Sequence, residues 1–181
     1  MFNPYEYFKG KNVLLIGNGE KLANINYDNY NSIVRMNLGV QDKPCDVWIN
    51  NLVNEGHNKL KSIPDIRCIV RLNFEKDGTR AERMPDWVKK KAWLWNKEEY
   101  NLMIQIYNYP RPTTGFVSIY WLLNYCNCKV TITAFDFFKT KNRYTMEDTN
   151  HIGTPKGYNH DVELEEEVIT KLIQRGIINA I

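Results

Sequence analysis

Apolar residues in this chain fall into short unbroken runs, separated by longer stretches in which they recur on a helical period. Val13-Leu14-Leu15-Ile16 is such a run, closed by Gly17-Asn18-Gly19. A run that short, apolar on both sides and ended by glycine, predicts a buried strand of a parallel sheet. Ser32-Ile33-Val34-Arg35-Met36, Asp46-Val47-Trp48-Ile49 and Arg67-Cys68-Ile69-Val70-Arg71-Leu72 repeat it. Val130-Thr131-Ile132-Thr133-Ala134-Phe135 adds a run rich in β-branched residues. Ile177-Ile178 is a candidate sixth strand. Residues 114–125 are apolar throughout and predict a buried helix, with Pro112 and Thr113 as entry signals. Residues 163–175 place Leu164, Val168, Ile169, Leu172 and Ile173 on one stripe, and Gly176 ends that helix. Residues 85–95 and 98–106 read as two further helices. Strands alternating with helices predict an α/β fold. One domain over residues 1–181 is expected, its open, mostly parallel sheet covered by helices on both faces.

Such sheets bind ligands beyond the carboxyl ends of their strands. Asn18 and Gly19, Asn37, Asn50 and Asp136 fall at those places. Gly17-Asn18-Gly19 is no dinucleotide fingerprint, because Leu22 stands where a third glycine belongs, and no Walker loop, because no Gly-Lys-Ser/Thr follows. Alone it reads as a tight turn. Its two glycines would let a phosphate or sugar approach the backbone. Asn18 offers a donor and an acceptor without charge. Each asparagine taken singly is a turn or cap residue. Convergence of Asn18, Asn37 and Asn50 at three neighbouring strand ends points instead to recognition of a base, a ribose and a phosphate.

Composition narrows the classes. The 181 residues are 43% hydrophobic and 25% charged, the balance of an ordinary globular domain. A net charge of +3 demands no nucleic-acid partner. Lys89-Lys90-Lys91, between Trp87 and Trp93, reads as the solvated face of a helix. Cys45, Cys68, Cys126 and Cys128 form no CxxC pair, Cys126 and Cys128 are too close for ordinary disulfide geometry, and no metal-ligand spacing occurs. No run approaches the ~18 apolar residues of a membrane span, and the amino-terminal residues lack the pattern of a signal peptide. The expectation is a cytoplasmic protein with reduced thiols.

The motifs carry a family resemblance. Leu15-Ile16-Gly17-Asn18-Gly19, then Tyr30, then Ile33-Val34-Arg35-Met36-Asn37, resembles the large motif of the family 29 sialyltransferases. Arg111-Pro112-Thr113-Thr114-Gly115-Phe116, the apolar helix and Ile132-Thr133-Ala134-Phe135-Asp136-Phe137-Phe138 resemble their small motif. His160 and Glu165, spaced H-x4-E, resemble their very small motif. The compact bacterial family 42 sialyltransferases share much of the pattern. The resemblance implies a single Rossmann-like domain, a GT-A-like sialyltransferase variant, binding CMP-sialic acid or a related CMP-sugar such as CMP-Kdo without a metal or other cofactor. By it, Asn18 and Asn37 contact the donor's phosphate and ribose, and Asn50 lies near the donor sugar. Thr113, Thr114 and Gly115 hold the donor at a helix N-terminus, a natural anion site. Asp136 and Glu165 join the substrate site. His160 is the general base and Tyr144 assists departure of the phosphate.

The sequence also departs from the pattern. Phe138 stands where the bacterial enzymes carry the first of two tyrosines, and Ala134 stands where glycine usually precedes the Phe-Asp pair. The stretch between Tyr144 and His160, part of the acceptor region, is short. The cysteines of the animal enzymes' disulfide and their membrane anchor have no counterpart, which suits a bacterial or viral source better than a Golgi lumen.

The chemistry expected is displacement of a CMP phosphate from a tertiary anomeric carbon through an oxocarbenium-like transition state. One proton must be removed, a task suited to histidine near neutral pH. Of the three histidines, His160 lies just before an amphipathic helix, His151 is the weaker candidate and His57 reads as a surface residue. Arg111 is either a contact for the sugar carboxylate or a surface residue held by prolines. Glu163, Glu166 and Glu167 read as the usual acidic first turn of a helix. Three activities fit these residues: transfer to a glycan hydroxyl, hydrolysis of the CMP-sugar, or nucleotide binding without catalysis.

Overall fold

The computed structural model describes residues 2–19, 24–41, 44–50, 66–70, 90, 92–109, 111–139 and 160–181. Seven strands form one sheet: β1 (Asn12–Ile16), β2 (Ser32–Met36), β3 (Val47–Asn50), β4 (Arg67–Val70), β5 (Ala92–Leu94), β6 (Lys129–Thr133) and β7 (Asn179–Ala180). Their order is β5-β4-β3-β2-β1-β6-β7, and every neighbouring pair is parallel. The α/β sheet read from the sequence is therefore present. The chain walks from β1 outward to β5 and returns to place β6 on the other side of β1. That reversal puts a topological switch point between β1 and β6, where open α/β sheets bind ligands.

Alternation along the strands divides the core. Val13, Leu15, Val34, Met36, Val47, Ile49, Val130 and Ile132 point to one face, all 4% exposed or less. The four described α-helices pack there: α1 (Pro4–Phe8), α2 (Lys97–Tyr107), α3 (Thr114–Tyr125) and α4 (Val162–Gln174). Leu14, Ile16 and Ile33 point to the other face, where Ile25, Tyr27 and Tyr30 cover them. α3 is buried on all sides over residues 114–122, as an apolar helix without a polar stripe must be.

The helix ends follow local chemistry. Asn3 caps α1, Asn96 caps α2, Thr113 caps α3 and Asp161 caps α4, each side chain accepting from a first-turn N–H. Asn108 takes a left-handed conformation after α2, and Gly176 does so after α4.

Several boundaries differ from the expectation. Residues 92–94, read as helix, are the edge strand β5. Trp93 there packs against Tyr5 and Trp121, at 5.3 and 5.6 Å between ring centroids, and this packing overrides the helical reading. β6 stops at Thr133 instead of Phe135, because Ala134 turns left-handed at φ 57°. The last strand is Asn179–Ala180 rather than Ile177-Ile178. Residues 85–89 and 91 of the expected helix lie outside the described residues, as do Leu72, Lys89, Lys91, Cys68's side chain, Tyr144, His57 and His151.

Candidate active site

Parallel register puts the strand ends at one edge. Ile16 pairs with Arg35 and with Thr133, and Met36 pairs with Ile49. Asn18, Asn37, Asn50 and Asp136 therefore lie along the carboxyl edge of β1, β2, β3 and β6. Asn50 is the last residue of β3 rather than the first beyond it, and its side chain is fully buried. Asn37 is left-handed, φ 47°, and its carbonyl accepts from the indole N–H of Trp48 at 2.7 Å. Trp48, inside β3, thus fixes the turn after β2.

The glycines at 17 and 19 have a reason within the chain itself. The close approach they permit is by the chain's own β6 exit. Gly17 N–H donates to the Thr133 carbonyl (2.8 Å) and Gly19 N–H to the Ala134 carbonyl (3.0 Å). A Cβ on Gly17 would lie 2.2 Å from the Ala134 carbonyl oxygen, and one on Gly19 would lie 2.8 Å from that oxygen and from the Asp136 carboxyl carbon. A Cβ on Gly115 would lie 2.7 Å from the ring of Phe135. The β1 loop, the β6 exit and the start of α3 are locked together by these contacts. Between the two glycines, Asn18 turns its side-chain oxygen into a buried place where it has no hydrogen-bond partner among the described residues. A buried acceptor without a donor is unfavourable by about 1–3 kcal/mol, so a bound donor group would be welcome there.

The β6 exit is itself strained. Ala134, Phe137 and Phe138 are all left-handed, at φ 57°, 53° and 60°. Each costs roughly 1–2 kcal/mol for a residue with a side chain, and such strain concentrates at functional sites. Ala134 holds a conformation that suits the glycine of the resembled motif. Asp136 supports the turn, its Oδ1 accepting from Phe138 N–H at 3.2 Å.

His160 stands between this exit and α3. Its Nδ1 is 2.5 Å from the Arg111 carbonyl oxygen, and its ring stacks on Phe138 at 6.2 Å and 12°. A carbonyl only accepts, so Nδ1 carries a hydrogen there, which in the neutral ring leaves the lone pair on Nε2. Phe138, at a tyrosine position of the bacterial pattern, thus walls the imidazole. The Arg111 side chain is exposed, and its contact with His160 is made by its backbone.

Glu165, one turn into α4, is 3% exposed and reaches the mouth of α3. Its Oε1 accepts from Tyr109 O–H (2.8 Å) and Thr113 N–H (2.6 Å), and its Oε2 from the Thr113 hydroxyl (2.6 Å). Both donors of Thr113 thus serve the helix entrance. Thr114 and Gly115 remain at the positive end of α3, beside Phe135. Glu163, Glu166 and Glu167 stay at the surface side of α4, with Glu166 paired to Lys139 and Glu167 to Lys171. Sequence reasoning missed Tyr109, Trp48 and Phe135. Only the fold reveals them, since their partners are distant along the chain. Asp161 was missed as well, although an aspartate just before an amphipathic helix is a usual N-cap signal.

Four segments thus meet: 17–19, 111–115, 134–138 and 160–165. Together they offer a buried neutral acceptor, a helix N-terminus and an imidazole of defined tautomer, an arrangement able to hold an anionic ligand and remove a proton. Among the described residues no cluster of His, Cys, Asp and Glu could hold a metal ion, and no helix is long and apolar enough to cross a membrane.

No family model and no curated protein sequence matches this chain. Its fold, however, is that of solved mammalian sialyltransferases. A mammalian sialyltransferase in complex with Gal-beta-1-3GalNAc-ortho-nitrophenol superposes with a TM-score of 0.64 at 13% identity, over 98% of this chain and 71% of that one. A second crystal structure of a mammalian sialyltransferase gives 0.66 at 14% identity, over 95% of this chain and 69% of that one.

Proposed function

We propose that this protein is a glycosyltransferase that takes a CMP-activated acidic sugar, CMP-sialic acid first, and transfers it to a glycan hydroxyl with His160 as general base. The observation that carries the reading is the hydrogen bond from His160 Nδ1 to the Arg111 carbonyl, 2.5 Å, at the mouth of α3. It supports Nε2 as the nitrogen that takes the proton. The shared fold with mammalian sialyltransferases supports the same reading.

In the proposed reaction the donor phosphate lies at the N-terminus of α3, near Thr114 and Gly115, where the helix dipole favours negative charge. The Asn18 side-chain oxygen takes an O–H or N–H of the donor, and Asn37 and Asn50 extend the site along the sheet edge. The acceptor oxygen attacks the anomeric carbon as its proton passes to His160 Nε2. The bond from that carbon to the phosphate oxygen breaks, its electron pair stays on phosphate, and CMP leaves. Charge on the departing group is met by the α3 N-terminus and by Tyr144, whose role rests on the motif resemblance. No metal ion has a part in this scheme. Arg111 is the candidate contact for the sugar carboxylate.

The test is incubation with CMP-sialic acid, with and without a β-galactoside, following CMP and sialoside by mass. One structural neighbour was solved with a galactose-containing disaccharide, so Gal-β1,3-GalNAc is the first acceptor to try. Sialoside formed only with acceptor is the expected result. CMP and free sialic acid without acceptor dependence would make the protein a hydrolase, and CMP binding without turnover would make it a binding module.

A further inference from the structure

Tyr109 lies between α2 and α3, 4% exposed, with its amide bonded to the Ile104 carbonyl at 3.1 Å and its ring edge-on to Phe116 at 5.9 Å. Both ends of the residue are therefore fixed before it meets α4. Its hydroxyl accepts from the Asp161 N–H at 2.7 Å and donates to Glu165 Oε1 at 2.8 Å. Glu165 N–H in turn donates to the Asp161 carbonyl at 3.1 Å, closing a ring of bonds around the start of α4. The Asp161 nitrogen belongs to the peptide bond that His160 begins. Holding that peptide plane sets ψ of His160 and hence the direction in which its side chain leaves the backbone. Two residues after Tyr109, the Arg111 carbonyl holds the same residue's ring.

We infer that Tyr109 is a positioning residue for the proposed base: its hydroxyl fixes the His160–Asp161 peptide while the Arg111 carbonyl fixes the imidazole. This rests on the transferase reading above. One short stretch, 109–111, grips the base at its backbone and at its ring. Burial and the neighbouring Glu165 carboxylate push the Tyr109 phenol well above its ordinary pKa, so it remains an O–H donor wherever the enzyme works. Bonds in series, amide to hydroxyl to carboxylate, polarise one another. Glu165 is itself engaged by both donors of Thr113 at the α3 entrance.

Tyr109→Phe removes the hydroxyl and keeps the ring. Three readouts apply, taken below the melting temperature of the variant. With CMP-sialic acid and a galactoside, kcat is expected to fall roughly 10–100-fold, the scale of a misplaced catalytic group. CMP affinity by titration should stay within about twofold, since the α3 entrance keeps both Thr113 bonds to Glu165. Without any substrate, the Asp161 amide should exchange faster, and the imidazole 15N shifts of His160 should move from the Nδ1-protonated form toward a mixture of tautomers. Unchanged kcat, or unchanged His160 shifts, would overturn the inference, as would a loss of CMP affinity that parallels the loss of kcat. If wild-type protein turns over no CMP-sugar, the transferase reading fails, while the exchange and 15N data still decide the role of Tyr109. If the variant does not fold, the wild-type spectrum decides: a His160 that is not Nδ1-protonated overturns the grip.

Discussion

Glu165→Ala is expected to destabilise the protein far more than the same change at its neighbour Glu166. Glu165 is 3% exposed and accepts hydrogen bonds from Tyr109 O–H, Thr113 N–H and the Thr113 hydroxyl. A hydrogen bond to a charged group contributes about 1.5–3 kcal/mol, and a buried donor left alone costs about 1–3 kcal/mol. These terms overlap, and relief of the buried charge offsets part of them. A net loss of about 3–4 kcal/mol follows. For a chain of this length that is a fall in Tm of roughly 10 °C. Glu166 pairs with Lys139 at the surface, with side chains 37% and 63% exposed. An exposed pair contributes about 0–1 kcal/mol, so Glu166→Ala should move Tm by less than about 3 °C. Glu165→Gln should fall between them. It keeps the volume and one oxygen for Tyr109 and the Thr113 amide, but turns an N–H₂ toward the Thr113 hydroxyl, a loss of about 1–2 kcal/mol. Urea titration followed by tryptophan fluorescence separates the three, provided the slopes agree. Equal midpoints for Glu165→Ala and Glu166→Ala would refute the buried network as a stabilising element.

Gly17→Ala should cost about 3 kcal/mol, because its Cβ meets the Ala134 carbonyl at 2.2 Å and two paired strand ends must part by about 1 Å. Gly10→Ala, at φ 72° with open space around it, should cost only about 1 kcal/mol; thermal melts that rank the two in the opposite order would sink the steric argument. Burial pushes the Cys128 thiol up to about 11 and the Cys126 thiol higher still. At pH 8 both should resist iodoacetamide in the folded protein, since only the thiolate reacts, and peptide mapping that finds them alkylated before unfolding would contradict the burial.

Much of the sheet is visible in the sequence, because parallel strands buried on both faces favour apolar and β-branched residues. Val13 to Ile16 in β1 and Val47 to Ile49 in β3 are apolar runs, and β2 and β6 keep apolar residues around buried Ser32, Arg35, Thr131 and Thr133. β5 is not visible. It spans three residues, too few for a period, and Trp93 is drawn into the sheet edge by Tyr5 and Trp121, which are distant along the chain. The end of β6 is misread for a related reason. Ala134 and Phe135 continue an extended pattern locally, but bonds from Gly17 and Gly19 turn the chain there. At the site, the residue types and their strand-end positions are legible, and their reasons are not. The two loop glycines are required by Ala134 and Asp136, Thr113 by Glu165, and the orientation of His160 by Arg111 and Phe138. Each is a tertiary contact that spacing along a sequence does not encode.

His160→Ala, assayed for both CMP affinity and sialyl transfer to a galactoside, tests the proposed base most directly. Loss of a positioned general base should lower kcat by about 10²–10⁴-fold. CMP affinity should hold within about twofold, because the donor phosphate is assigned to the α3 N-terminus and a donor O–H or N–H to Asn18, neither of them to the imidazole. Transfer at the wild-type rate in that variant would remove His160 from the chemistry and with it the reading of this site.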